Sequence, residues 1–193
     1  MKTSINHIIK TALAFSLMAL IAVGCNDNPS SVEEGPGEEE LITQVNLSLD
    51  GDDGSTATVS WTDEDGPGGN DPVIGTLQLQ AGTTYAGTIE LLNTTEDPAE
   101  DISQEVREED DEHQFFYMLS GSGSGRVTIE YADQDENGLP VGLEYTVTVS
   151  DGSAETATLN VVLSHYVDAP KNGTDRSNDT DIDINIPVDI QTP

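Results

Sequence analysis

Residues 133–144 read DQDENGLPVGLE. Acidic or amide side chains at the first, third and fifth positions, glycine at the sixth and glutamate at the twelfth reproduce the ligand spacing of an EF-hand calcium loop. Asp133, Asp135, Asn137 and Glu144 would supply the oxygens, and Gly138 the sharp turn. The flanks are not those of an EF-hand. GRVTIEYA before the loop and LEYTVTVS after it alternate as strands do, and the eighth position is Pro140 instead of a branched apolar residue. The expectation is a β-hairpin whose loop is a candidate calcium site by spacing. The competing reading is a solvated turn, since Asp, Asn and Gly are the residues hairpins use. Glu144, already in the next strand, is the ligand farthest from the turn.

A second constellation is Glu105, Glu108, Glu109, Glu112 and His113, spaced three and four apart in PAEDISQEVREEDDEH, residues 98–113. Ile102 and Val106 give this segment one apolar stripe, so it reads as a short helix that Asp101 can cap. If the helix persists, Glu109 and His113 share a face. Carboxylate beside imidazole suits zinc or another transition ion. His165 closes the run NVVLSH and is the other histidine beyond the N-terminal segment. If the fold brings it to His113, the two imidazoles with Glu109 or Glu112 make a metal site; otherwise each is a strand-end residue with an ordinary hydrogen bond. A third acidic loop, TDEDGPGGNDP at 62–72, offers Asp63, Asp65, Asn70 and Asp71 in no fixed template.

Catalysis finds little support. There is no Gly-x-Ser-x-Gly, phosphate loop or His-Glu-x-x-His. Ser164 and His165 are adjacent in a strand pattern and point to opposite faces. The reading is a non-enzyme.

The first 24 residues carry Lys2 and Lys10, no acid, and the apolar run TALAFSLMALIAV. That run is short for a bilayer span and suits a signal-peptide core. It ends in Ala22-Val23-Gly24-Cys25, similar to a bacterial lipobox, although Ala22 stands where leucine is commoner. Cys25, the sole cysteine, is then the lipidation site, and the folded part has no disulfide. Residues 25–40 hold the lipidated cysteine and an acidic linker with Val32 as its one apolar residue after Cys25. The chain is thus expected to be exported and held to a membrane by acyl chains. Its formal charge is −31, with 37 acidic residues all following Gly24. Such a polyanion repels nucleic acid and anionic membrane surfaces and attracts cations. Solubility or adaptation to high salt also explains the charge.

The elements that must position these groups begin at Leu41. LITQVNLSL, TATVSWT, IGTLQLQ, TYAGTIELL, QFFYML, RVTIEYA, LEYTVTV, ETATLNVVL and DIDINIPVDI alternate with period two between Gly, Asp, Asn and Ser clusters. Nine short strands and one helix predict an all-β domain over 41–193, a single antiparallel β-sandwich, immunoglobulin-like in the broad sense. Trp61 falls on the core face. In the last strand Ile182, Ile184, Ile186, Val188 and Ile190 face inward, with Asp181, Asp183, Asn185 and Asp189 outward. Pro187, lacking an N–H, favours an edge.

GTLQLQAGTTYAGTIELLN, EDPAEDISQEVREEDDEHQFF, DQDENGLPVGL, VVLSH and DTDIDI, in that order, resemble a family of small Bacteroidota-type envelope lipoproteins. The resemblance implies an outer-membrane or cell-surface lipoprotein with a β-sandwich domain, acting beside an outer-membrane transporter or another envelope protein. It supplies no catalytic residues. Together these readings describe a lipid-anchored binding module for divalent cations, calcium before zinc, or for an envelope partner. The alternative is a structural or adhesive module without a specific ligand.

Overall fold

The computed structural model describes residues 40–192 apart from 67 and 168. The expected signal segment, Cys25 and the expected linker up to residue 39 lie outside the described residues. The strands are β1 (Gln44–Gly51), β2 (Thr56–Thr62), β3 (Val73–Ile74), β4 (Leu77–Gln80), β5 (Thr84–Asn93), β6 (Glu100–Asp101), β7 (His113–Ser120), β8 (Val127–Tyr131), β9 (Glu144–Val149), β10 (Glu155–His165) and β11 (Asp179–Gln191). One helix, α1 (Ile102–Glu108), lies between β6 and β7. A seven-stranded sheet runs β3-β2-β1-β5-β9-β8, with β6 added beside β5, and a four-stranded sheet runs β4-β11-β10-β7. Pairing is antiparallel except between β4 and β11. This is the expected all-β sandwich, with one parallel pair.

Alternation decides what each strand buries. Val45, Leu47 and Leu49 of β1 and Tyr145, Val147 and Val149 of β9 line one inner face; Leu159, Val161 and Leu163 of β10 belong to the other. β11 contributes five more, Ile182, Ile184, Ile186, Val188 and Ile190, all buried. Burying each such side chain is worth about 1.5–3 kcal/mol, so the sheets are held by their inner faces rather than by the exposed carboxylates.

Four details depart from the sequence expectation. The run IGTLQLQ is not one strand. Val73 and Ile74 pair with β2, whereas Leu77–Gln80 pairs with β11 in the opposite sheet. The chain changes sheets at Gly75, whose amide donates to the Ser60 carbonyl and where a Cβ would come within 3.0 Å of Val59. Trp61 is half-buried and packs on the margin of the core. Pro187 is not on an edge strand, because β11 lies between β4 and β10. The β4 pairing begins only at Val188, however, so up to Pro187 that flank of β11 carries no partner strand among the described residues. Finally, the helix stops at Glu108 and His113 opens β7. Asp101 does cap the helix, its Oδ1 accepting from the Ser103 amide at 3.1 Å. The acidic run Glu108–Glu112 lies at the negative end of the helix dipole, and the aromatic, strand-forming segment after it claims His113.

Where the 133–143 segment returns over β7, the Gly142 amide donates to Asp133 Oδ1 at 2.7 Å and its carbonyl accepts from the Tyr117 hydroxyl at 2.6 Å. Gly142 has φ 97° and a Cβ there would lie 2.8 Å from Phe115 Cβ. We predict that Gly142→Ala lowers unfolding free energy by about 1–3 kcal/mol, from strained backbone and overpacking together. Urea denaturation checks this; unchanged stability would show that the crossing is looser than described.

Candidate metal centre

His113 and His165 are direct cross-strand partners in β7 and β10. Side chains opposite one another on one face of a sheet are neighbours, so the pairing register alone brings the two imidazoles together. They continue the inward rows His113-Phe115-Tyr117 and Leu159-Val161-Leu163-His165 and close one end of the core. The rings stack with centroids 4.2 Å apart and planes 25° from parallel. Both side chains are buried.

Two carboxylates reach them from unexpected places. Asp181 belongs to the face of β11 expected to point outward, yet its side chain is completely buried. The register explains this: Leu163 pairs with Ile182 and Ser164 with Thr180, leaving Asp181 as the extra residue of a β-bulge. A bulge re-aims a side chain, and here it turns the carboxylate inward while the backbone stays partly exposed. Asp181 Oδ2 lies 3.7 Å from His113 Nε2, and Oδ1 lies 3.6 Å from His165 Nδ1. Glu40, assigned by sequence to the linker, is buried just before β1, with Oε1 3.3 Å from His113 Nε2. Glu112, partly exposed, comes within 3.9 Å of His165 Nε2. One ligand atom each from Glu40, Glu109, His113 and His165 falls within 4.8 Å of the others.

The tautomer of His113 follows from its surroundings. Its Nδ1 lies 3.1 Å from the Glu109 carbonyl, which can only accept, so Nδ1 carries a hydrogen and, in the neutral ring, Nε2 presents the lone pair to the cluster. This is how metal-binding histidines are commonly oriented. Among the described residues, His113 Nε2, His165 Nε2 and Glu40 Oε2 are buried and make no hydrogen bond, although the two nitrogens face carboxylate oxygens at 3.3 and 3.9 Å. Burial pushes the Glu40 carboxyl up, but its contacts with His113 and Asp181 and the charge on His113 outweigh this and hold it at about 2. Burial pulls His113 down, while contact with Glu40, the charge of Glu40, the Glu109 carbonyl and the charge of Asp181 leave it raised. The cluster is therefore poised for positive charge, from a proton or from a cation.

In the loop at 133–144, two of the candidate calcium ligands, Asp133 and Asp135, already have partners. Asp133 Oδ1 and Oδ2 accept from the amides of Gly142 and Glu144, at 2.7 and 3.0 Å. Asp135 Oδ1 accepts from the amides of Asn137 and Leu139, at 2.9 and 2.8 Å, and Oδ2 pairs with the buried Lys171 ammonium at 3.0 Å. Glu144 is exposed at the start of β9. Asp133, Asp135, Asn137 and Glu144 thus shape the hairpin, and the cation beside Asp135 is a lysine. Lys171 also donates to the carbonyls of Asp110 at 2.6 Å and His113 at 3.1 Å. It thereby fastens the turn that carries Glu109 and Glu112. In the 62–72 loop, Asp65 accepts from the backbone and side chain of Asn70, and Asp63 is buried apart from it. Among the described residues, neither loop gathers three metal-ligating acids or histidines.

Glu109, Glu112, His113 and His165 lie together, a juxtaposition the sequence left open, through strand register and a turn and not along one helical face. Sequence reasoning missed Glu40 and Asp181. Glu40 stands among three glutamates in a row, and Asp181 obeys the alternation of its strand until the bulge breaks it.

Burial pushes the Asp135 carboxyl up, but the amides of Leu139 and Asn137 and the Lys171 ammonium hold it below the ordinary aspartate range. A depressed carboxylate contributes stability that is complete above its unfolded pKa and lost as pH falls through the folded one. Wild type should lose this contribution below about pH 4. Asp135→Asn should lack that segment of the profile and be less stable at neutral pH by about 3 kcal/mol, because it leaves a buried ammonium unpaired. Denaturant titrations from pH 7 to 2 test this. Parallel profiles in the two proteins would contradict the pairing.

No protein-family model and no curated protein matches the chain. Among solved structures, the crystal structure of domains 4 and 5 of the S-layer protein SbsC aligns over 75% of this chain and 76% of that one. Identity is 11% and the TM-score 0.26, a likeness on which no argument is built.

Proposed function

We propose that the chain is an exported, lipid-anchored, non-catalytic module whose sandwich binds a first-row divalent cation, zinc foremost, at one end of its core. The observation that carries this is the meeting of two buried imidazoles, each with an Nε2 lacking a hydrogen-bond partner, among Glu40, Glu109, Glu112 and Asp181. Imidazole with carboxylate suits zinc, whereas calcium takes six to eight oxygens. Calcium is accordingly the weaker reading, since Lys171 already neutralises Asp135 in the loop with calcium-like spacing. Export and anchoring rest on the apolar run before Cys25; among the described residues no helix is long and apolar enough to cross a membrane. In the envelope, the module would hold its ion near the membrane or present the loaded site to a neighbouring protein.

Titration of the full, chelator-stripped chain tests the reading. Zinc should bind saturably in physiological salt with Kd below roughly 10⁻⁴ M, the tight end of the range for extracellular calcium modules. Calcium should not compete. Zinc at a hundredfold its Kd should raise unfolding free energy by about 2.7 kcal/mol. Ligands must be deprotonated to bind, and His113 titrates above the ordinary histidine value. Zinc should therefore release protons, its heat varying with the buffer, and its affinity should fall as pH drops through the neutral range. Weak uptake that salt erases, equal for both ions, would overturn the assignment.

A further inference from the structure

We infer that the centre holds two ions side by side, not one; this rests on the reading above that the cluster binds metal. An imidazole nitrogen binds zinc at about 2.0–2.1 Å, along a lone pair that lies in the ring plane. The rings of His113 and His165 are stacked, with centroids 4.2 Å apart and planes 25° from parallel. Their lone pairs therefore lie in nearly parallel planes. An ion midway between the rings would sit about 2 Å out of both planes, a whole bond length in the wrong direction. Two ions, each in the plane of its own ring, avoid that misdirection, as in two-metal centres, where the ions are about 3.5–4 Å apart.

The carboxylates divide in the same way. Glu40 and Asp181 Oδ2 flank His113 Nε2 at 3.3 and 3.7 Å and complete a first position. Glu112 lies 3.9 Å from His165 Nε2 and completes a second. Asp181 Oδ1 faces the other nitrogen of His165, Nδ1, at 3.6 Å, so one carboxylate stands against a nitrogen of each histidine. Glu109, exposed, presents an oxygen within 4.8 Å of one nitrogen of each histidine and of a Glu40 oxygen, and is placed to bridge. Charge is compatible: Glu40, Glu109, Glu112 and Asp181 neutralise two dications, Glu40 and Asp181 from buried positions and Glu109 and Glu112 from exposed or partly exposed ones.

The full chain is loaded with zinc, passed through gel filtration in physiological salt, and analysed for metal per chain. Two ions are expected in wild type. Glu112→Gln, at a partly exposed position where folding is not at stake, should weaken the second binding step by roughly tenfold or more and spare the first. One ion in wild type would overturn the dinuclear centre and leave the metal reading standing; none would overturn both. Glu112→Gln binding both ions as wild type does would overturn the inference. So would a second ion persisting at full occupancy in His165→Ala, which would place it on surface carboxylates.

Discussion

Polar side chains can close the end of an apolar sandwich only if they find partners there, because an unpartnered buried polar group costs several times what a satisfied one contributes. His113 and His165 impose that constraint on the chain around them. Register sets them opposite each other, continuing the apolar rows of β7 and β10. Each neighbouring departure from regularity then serves them. The bulge in β11 turns Asp181 inward, the helix ends early so that its following turn offers the Glu109 carbonyl to His113 Nδ1, and Glu40 is drawn in ahead of β1. The β7, β10 and β11 contributions come from the four-stranded sheet, while Glu40 belongs to the chain entering the seven-stranded one. Charge held in this cluster therefore acts between the two sheets, in a folded part without cysteine to cross-link them.

The same logic accounts for the hairpin at 133–144. An acidic turn with calcium-like spacing is also suited to an ammonium and a set of backbone amides, and here Lys171 and four amides occupy its oxygens. Because Lys171 reaches on to the carbonyls of Asp110 and His113, the hairpin acts on the imidazole cluster as a support one step removed. Acidic spacing alone does not say which cation stands beside it; here Lys171 pairs with Asp135.

Surface acids elsewhere behave as ordinary solvated or hydrogen-bonded groups. Asp183 and Asp189 on β11 accept from Asn160 and Gln78 across the sheet. The large negative charge is thus divided between an outer coat and a small inward set of carboxylates that differ from the rest by burial.

The sequence by itself determined the sandwich. Period-two alternation is a local property of the chain, and each of the nine runs became a strand or, at Gly75, two. It also narrowed the imidazole pair to His113 and His165, the two histidines beyond the first 24 residues, which one pairing of strands suffices to join. Tertiary structure alone decided which carboxylates take part. Asp181 needed a bulge, which shifts register without leaving a mark in the alternation. Glu40 needed a position fixed by the packing of the residues that follow it, Ile42 and Thr43, both buried. Asp135 needed Lys171, 36 residues further along the sequence, to convert an apparent calcium ligand into half of an ion pair. Residue types and local spacing can be read along a chain. Which acid is desolvated beside which cation depends on contacts distant in sequence, and those exist only once the sheets have packed.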